Sequence, residues 1–193
     1  MAKIHHIFGG IPESELEAMA DAGAITPRGK ELLHEMGVEV ESNVVIRDST
    51  LLFLIKQYNF MKTPPIELPA DLRFLKIYRI PVTPEEDYLW ERIAKFQKAK
   101  KFGITIGEGT RVGERVKLYY GVMIGKACEI SDNCMLSFFS RVGERVYLGS
   151  SVYLHPDANV GSGSRVGDNA IIVKNAIVPE DSIIPEHRIY KGK

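Results

Sequence analysis

Histidine is the side chain whose unperturbed titration falls near neutral pH, so the five in this chain are the first places to look for acid–base chemistry. They are His5, His6, His34, His155 and His187. Only His155 keeps suggestive company: eighteen residues before it is Ser137, and eighteen before that is Tyr119. The residues after these three are Tyr120, Phe138 and Pro156, then Gly121, Phe139 and Asp157; one step further on come Val173, Lys174 and Asn175. If the chain returns to one place every eighteen residues, an imidazole stands among hydroxyls, a carboxylate, an ammonium and aromatic rings. A neutral imidazole there suits a general base that takes a proton from a hydroxyl or an amine. His155 is therefore the candidate catalytic residue, and Tyr119, Tyr120, Ser137, Phe138, Phe139, Asp157 and Lys174 are the candidate groove or interface.

Other chemistries fit the residues less well. Two cysteines, Cys128 and Cys134, are too few for a disulfide framework or a Cys-rich zinc site. A zinc ion needs three or more converging ligands, and His155 and His187 are 32 residues apart, which is not a multiple of eighteen. No metal site is expected. Lys+Arg 25 balance Asp+Glu 25, so the chain lacks the basic surface that nucleic acid or an anionic membrane would require. The N-terminal MAKIHHIFGG has no apolar stretch of signal-peptide length, and the longest wholly apolar run, Leu51 to Ile55, is too short to cross a bilayer. The expectation is a cytoplasmic protein with no nucleic-acid or membrane partner.

What brings residues back every eighteen positions is a repeat of six. A branched aliphatic residue recurs without a miss at Ile106, Val112, Leu118, Ile124, Ile130, Leu136, Val142, Leu148, Leu154, Val160, Val166, Ile172, Val178 and Ile184. Two residues before each, from Thr110 onward, stands a small or β-branched residue, Cys128 and Cys134 among them, so both cysteines read as core. A helix repeats at 3.6 and a half-buried strand at 2; a strict six is a short strand plus a corner. Three such sides close a triangular coil, and stacked coils pile identical positions into columns. Glycines follow the aliphatic residue in two corner columns, where a sharp turn predicts positive φ. The third column, Tyr119, Ser137, His155 and Val173, has none.

The same registers occur once earlier, at Val40, Ile46 and Leu52, with Val38, Val44 and Thr50 two residues ahead of each. The chain therefore divides into an N-terminal helical cap at 1–36, an isolated first coil at 37–54, an inserted Pro-rich and helical segment at 55–103, and the β-helix at 104–193. Ser14 to Ala22 and Pro27 to Met36 read as short helices, covering an otherwise exposed sheet edge. Within the insertion, Lys62 to Pro69 reads as extended and Leu72 to Ile80 as strand or helix. Thr83-Pro84-Glu85-Glu86 opens a helix to about Lys100, with Leu89, Ile93 and Phe96 on one face.

The aliphatic-then-glycine pairs Val112-Gly113, Ile124-Gly125, Val142-Gly143, Leu148-Gly149, Val160-Gly161 and Val166-Gly167 resemble the hexapeptide-repeat family of acyl- and acetyltransferases. The resemblance implies a mainly β fold, the left-handed parallel β-helix, with an α-helical N-terminal region and insertion, assembled as a homotrimer. It also implies an acyl-CoA-dependent O- or N-acyltransferase acting on a small polar acceptor such as a sugar, sugar nucleotide or amino acid. Acyl-CoA would be a co-substrate lying between subunits, with no separate cofactor and with a histidine as base. The stretch Leu154-His155-Pro156-Asp157-Ala158-Asn159-Val160-Gly161 also resembles a turn that serves the family as a structural corner, so His155 is either base or corner. Two departures stand out: no loop leaves the prism after Ile104, and the tail Ile189-Tyr190-Lys191-Gly192-Lys193 differs from the family's Gly-Asn-Pro-Ala-Lys segment. They leave a second reading open, a non-catalytic trimeric structural or assembly protein.

Overall fold

The computed structural model describes residues 27–62, 84–99 and 101–192. Within them lie three helices, here α1 (Pro27–Glu35), α2 (Asp48–Lys62) and α3 (Pro84–Ala99), and seventeen short strands. The fold class is as the repeat predicts: mainly β, a parallel β-helix whose strands form three parallel sheets, one per side of the prism. The first sheet runs from Val38–Val40 through Ile104–Ile106 to Ile177–Val178, and the second from Val45–Ile46 through Arg111–Val112 to Ile183–Ile184. The third starts only at Lys117–Leu118 and ends at Ile189–Tyr190. Register from Ile104 on is eighteen residues throughout, as in Ile106 against Ile124, Ile124 against Val142 and Val142 against Val160.

All fourteen aliphatic positions face inward, none more than 6% exposed, and the small register is buried with them apart from Ser182 near the end. Each such side chain contributes roughly 1.5–3 kcal/mol by leaving water. Buried polar members of the small register are hydrogen-bonded. Thr110 Oγ1 donates to the Gly125 carbonyl at 2.7 Å and accepts from the Cys128 N–H at 3.1 Å. Cys128 and Cys134 are core as read: their thiols donate to the carbonyls of Gly143 and Gly149 at 2.9 and 3.0 Å. Burial raises the Cys128 thiol above its usual value and pushes Cys134 up to about 12, so neither is a thiolate at neutral pH.

The corner glycines have a different cause from the one expected. Positive φ falls three residues after the column aliphatic, at Gly109, Arg115, Gly121, Ala127, Asn133, Phe139, Arg145 and onward, and not at the glycine that follows the aliphatic. That glycine is needed because the next coil's backbone lies against it. A Cβ at Gly125 would sit 2.6 Å from the Gly143 carbonyl oxygen and 2.7 Å from its carbon.

The first coil departs from the sequence reading on one side. Val38–Val40 and Val45–Ile46 are strands in the predicted register, but the third side, expected around Leu52, is the start of α2 instead. Leu52 is 38% exposed, while Leu51, Leu54, Ile55 and Tyr58 on α2 join Leu33 and Met36 from around α1 in the core cluster. A helix buries more apolar surface over the end of the prism than a two-residue strand could, and it occupies the place where a further strand would add to the third sheet. At the opposite end Tyr190 takes the inward seat and its hydroxyl donates to the Ile177 carbonyl across the coil at 3.2 Å. α1 and α3 match the helices expected at Pro27 and Pro84 to within a residue. The helix at 14–22, the Pro-rich run beyond Lys62, the segment 72–80 and the Thr83 cap lie outside the described residues. Among the described residues no helix is long and apolar enough to cross a membrane.

Two substitutions test this packing. Val142→Asp puts a carboxylate at a position only 4% exposed, without water or partner, at a cost of several kcal/mol; loss of the cooperative urea transition is expected. Gly125→Ala meets rigid backbone rather than a flexible side chain and is expected to lower stability by about 1–3 kcal/mol, read from the urea midpoint.

Candidate functional site

The third corner is where the repeat carries side chains instead of glycine, and α3 divides it into two halves. On the inner half, Phe96 of α3 packs against Tyr120 and Phe139, with ring centroids 6.3 and 5.6 Å away. Four residues earlier on the same helical face, Arg92 lays its guanidinium 3.6 Å from the centre of the Phe139 ring and donates from Nη1 to Asp157 Oδ1 at 2.7 Å. Phe102, fully buried, completes this cluster beside Tyr120 at 5.6 Å. Gly103 is required here: it holds φ +64°, and a Cβ would collide with the Phe96 ring. Phe139 also sits at positive φ, 58°, a conformation unfavourable for a bulky residue. The packing from Arg92 and Phe96 holds it there.

On the outer half lie Tyr119, Ser137, Phe138 and His155. Tyr119 and Phe138 are in ring contact at 5.1 Å, and Phe53 of α2 meets Tyr119 edge-on at 6.3 Å. Phe138 bridges the halves, stacked on Tyr120 at 6.1 Å with planes 12° apart. His155, half-buried, stacks on Tyr153, the outward residue of its own strand, at 4.2 Å. The His155 N–H donates to the Ile172 carbonyl and the Ser137 N–H to that of Leu154, so consecutive coils hold the column one strand spacing apart, roughly 4.8 Å. Burial, with the nearby Tyr153 phenol adding to it, raises the Tyr119 phenol above the usual tyrosine value, so it is a neutral hydroxyl at neutral pH. Lys174 is half-buried at the far end of the corner and makes no ion pair or hydrogen bond among the described residues.

The structure thus brings Tyr119, Ser137, Phe138 and His155 together on one side, and assigns Tyr120, Phe139 and Asp157 to the seat of α3. Three residues absent from the sequence reading matter here. Tyr153 faces outward two positions before His155, and Phe53 and Arg92 reach the corner from helices outside the repeat. Arg92 had a legible signal, since it precedes Phe96 by one helical turn. Of the other histidines, His34 lies on α1 with Nδ1 3.0 Å from Glu39 Oε2, and His187 is an exposed corner residue. His5 and His6 fall outside the described residues. No three His, Cys, Asp or Glu side chains converge on a metal position among the described residues.

Fold and corner together define a parallel β-helix of the hexapeptide type with a histidine on an aromatic edge. No family model matches the chain, and no curated protein does. Three solved structures match part of it, among them the following two. One is PerB from Caulobacter crescentus in complex with CoA and GDP-perosamine, 19% identical, covering 55% of this chain and 60% of its own, with a TM-score of 0.32. The other is a histidine-to-alanine mutant of GDP-perosamine N-acetyl transferase from the same organism, also with CoA and GDP-perosamine. It is 20% identical and covers 51% of this chain and 59% of its own, with a TM-score of 0.24. This chain therefore spans less than two thirds of either structure's length, and likeness at these scores assigns no residue a role.

The Arg92 to Asp157 contact is testable on its own. Both side chains are about a quarter exposed. A double-mutant cycle of Arg92→Ala and Asp157→Asn is expected to give a coupling of about 0.5–2 kcal/mol in urea unfolding. Each single variant should also loosen α3, seen as faster amide hydrogen exchange along the helix.

Proposed function

We propose that this chain is an acyl-CoA-dependent O- or N-acyltransferase acting on a small polar acceptor such as a sugar, sugar nucleotide or amino acid, with His155 as general base. The observation that carries the reading is the placement of His155 on the half of the corner that α3 leaves open, its ring oriented by Tyr153. Ser137 and Tyr119 stand at the same corner position one and two coils away, respectively. An imidazole here can take the proton from an acceptor hydroxyl or amine as that group attacks the thioester carbonyl carbon, and return it to the departing thiolate. The aromatic rings of Tyr119 and Phe138 offer apolar surface beside it for the acyl chain or the pantetheine arm. Acyl-CoA enters as co-substrate, and no step calls for a further cofactor.

A homotrimer belongs to the same proposal. Parallel sheets are ordinarily covered on both faces, and the outer face of the third sheet carries Met135, Tyr153, Ile171 and Ile189 beyond Lys117, continuous with the His155 corner. A neighbouring subunit against that face would wall the site. The competing reading, a non-catalytic assembly rod, is favoured by one observation: half of the unusual corner is spent on seating α3.

Thiol release from acetyl-CoA, followed across a panel of amino sugars, sugar nucleotides and amino acids, separates the two readings. Turnover with at least one acceptor is expected, with light scattering giving three times the 21.6 kDa chain mass. His155→Ala should then lower kcat by roughly 10²–10⁴ and leave the melting temperature and acetyl-CoA binding nearly unchanged. If activity loss instead follows the folded fraction, His155 is a structural corner. A thermal shift with no acyl-CoA and no transfer to any acceptor would favour the assembly protein.

A further inference from the structure

Among the described residues, five polar side chains are buried: Thr50, Thr110, Ser137, Ser140 and Ser164. Four satisfy their hydroxyls by donating to a corner carbonyl at 2.7–2.8 Å: Thr50 to Gly113, Thr110 to Gly125, Ser140 to Ser137 and Ser164 to Pro179. Ser137 is 5% exposed, yet its Oγ has no hydrogen-bond partner among the described residues. A buried hydroxyl left unpaired is a net loss, while alanine would fill nearly the same space without that loss. The exception falls in the column of the open corner, between Tyr119 and His155.

At the equivalent place in another corner, the N–H groups of Glu114 and Ser150 donate to Asp132 and Asp168 of the next coil, both at 2.8 Å. The Phe138 N–H faces Pro156 at that position, which has no side-chain acceptor to offer, and it has no partner among the described residues. Two adjacent donors, one a buried hydroxyl, therefore stand one coil from an imidazole with no acidic side chain in the column.

We propose that the Ser137 hydroxyl is the donor that holds the thioester carbonyl oxygen of the acyl-CoA and stabilises the oxyanion formed on it, an inference that rests on the acyltransferase reading above. An oxygen entering between Tyr119 and His155 meets this hydroxyl. As the acceptor's nitrogen or oxygen bonds to the carbonyl carbon, the carbonyl π pair moves onto that oxygen and His155 takes the acceptor's proton. Collapse reforms the carbonyl, breaks the carbon–sulfur bond, and the thiolate leaves with the proton from the imidazolium. Ser137 keeps its own proton throughout. Its contribution grows as charge develops on the oxygen, so it acts mainly on the transition state.

The test uses the full-length protein, acetyl-CoA and the acceptor that turns over fastest in the panel above. Ser137→Ala should lower kcat by about 10²–10³, change KM for acetyl-CoA by no more than about twofold, and leave the melting temperature equal or higher. Ser137→Cys, similar in size with a weaker donor, should recover part of the rate. If the wild-type protein transfers acetyl to nothing, the acyltransferase reading fails and this inference with it. If the wild type is active and Ser137→Ala stays within about threefold of it, the inference alone is overturned. A lower melting temperature with a matching activity loss, or equal losses for the alanine and cysteine variants, would show a packing role and also overturn it.

Discussion

Everything in this molecule hangs on the rung-to-rung hydrogen bonding of one coil to the next at a fixed offset of eighteen residues. Gly125 N–H to Val142 carbonyl, Gly143 N–H to Val160 carbonyl and their counterparts, near 2.8 Å, fix each residue directly over its repeat mate. A slip of one residue would turn the aliphatic columns to solvent and bring the outward charges into the prism. The register is thus enforced twice, by burial and by backbone pairing, and the corner glycines let those rungs approach as closely as the pairing demands. A chain so constrained has little freedom in where it places side chains along a corner. Whatever chemistry the prism carries must come from stacks spaced by one coil.

That constraint explains how the third corner can hold a site although no loop leaves the prism there. Tyr119, Ser137 and His155 are far apart in sequence, but the ladder places them in one line. The corner's two halves then diverge because α3 approaches from one side only. Arg92 and Phe96 convert Tyr120, Phe139 and Asp157 into a docking seat, and among the described residues Tyr119, Ser137 and His155 lie clear of that helix. The same stack of coils supplies both the seat and the candidate site, and a helix chooses between them.

The prism was legible from sequence because the signal is redundant: fourteen aliphatic positions and a second small register agree on one geometry. The column of His155 followed from arithmetic on that period. What the period does not encode is how elements outside the repeat dock onto it. Leu52 fits the six-residue pattern, yet α2 replaces a strand there because covering the end of the core outweighs continuing a short sheet. Phe53 reaches the corner from a helix whose docking no periodicity encodes, and Arg92 is marked only by its place one turn before Phe96, without its partner at the corner. The corner glycines stand where the pattern places them but for another cause, since pattern shows where a Cβ is unwelcome and not whether φ or a neighbouring carbonyl excludes it. Tyr153 was hidden in plain view: alternation marks it as outward, and only the fold shows that outward means against His155.

The strained Phe139 has a consequence for how the two halves of the corner communicate. A phenylalanine held at positive φ costs roughly 1–2 kcal/mol that a glycine would not, and here the ring contacts and cation from α3 offset it. Helix docking and corner shape are therefore one equilibrium. Phe138, adjacent in the chain, stacked on Tyr120 and in tilted ring contact with Tyr119, links that equilibrium to the half of the corner away from α3. Any molecule that prefers the open side in its helix-docked form must strengthen the docking by the same factor by which docking strengthens its own binding. The inserted helix is in this sense a thermodynamic partner of the edge.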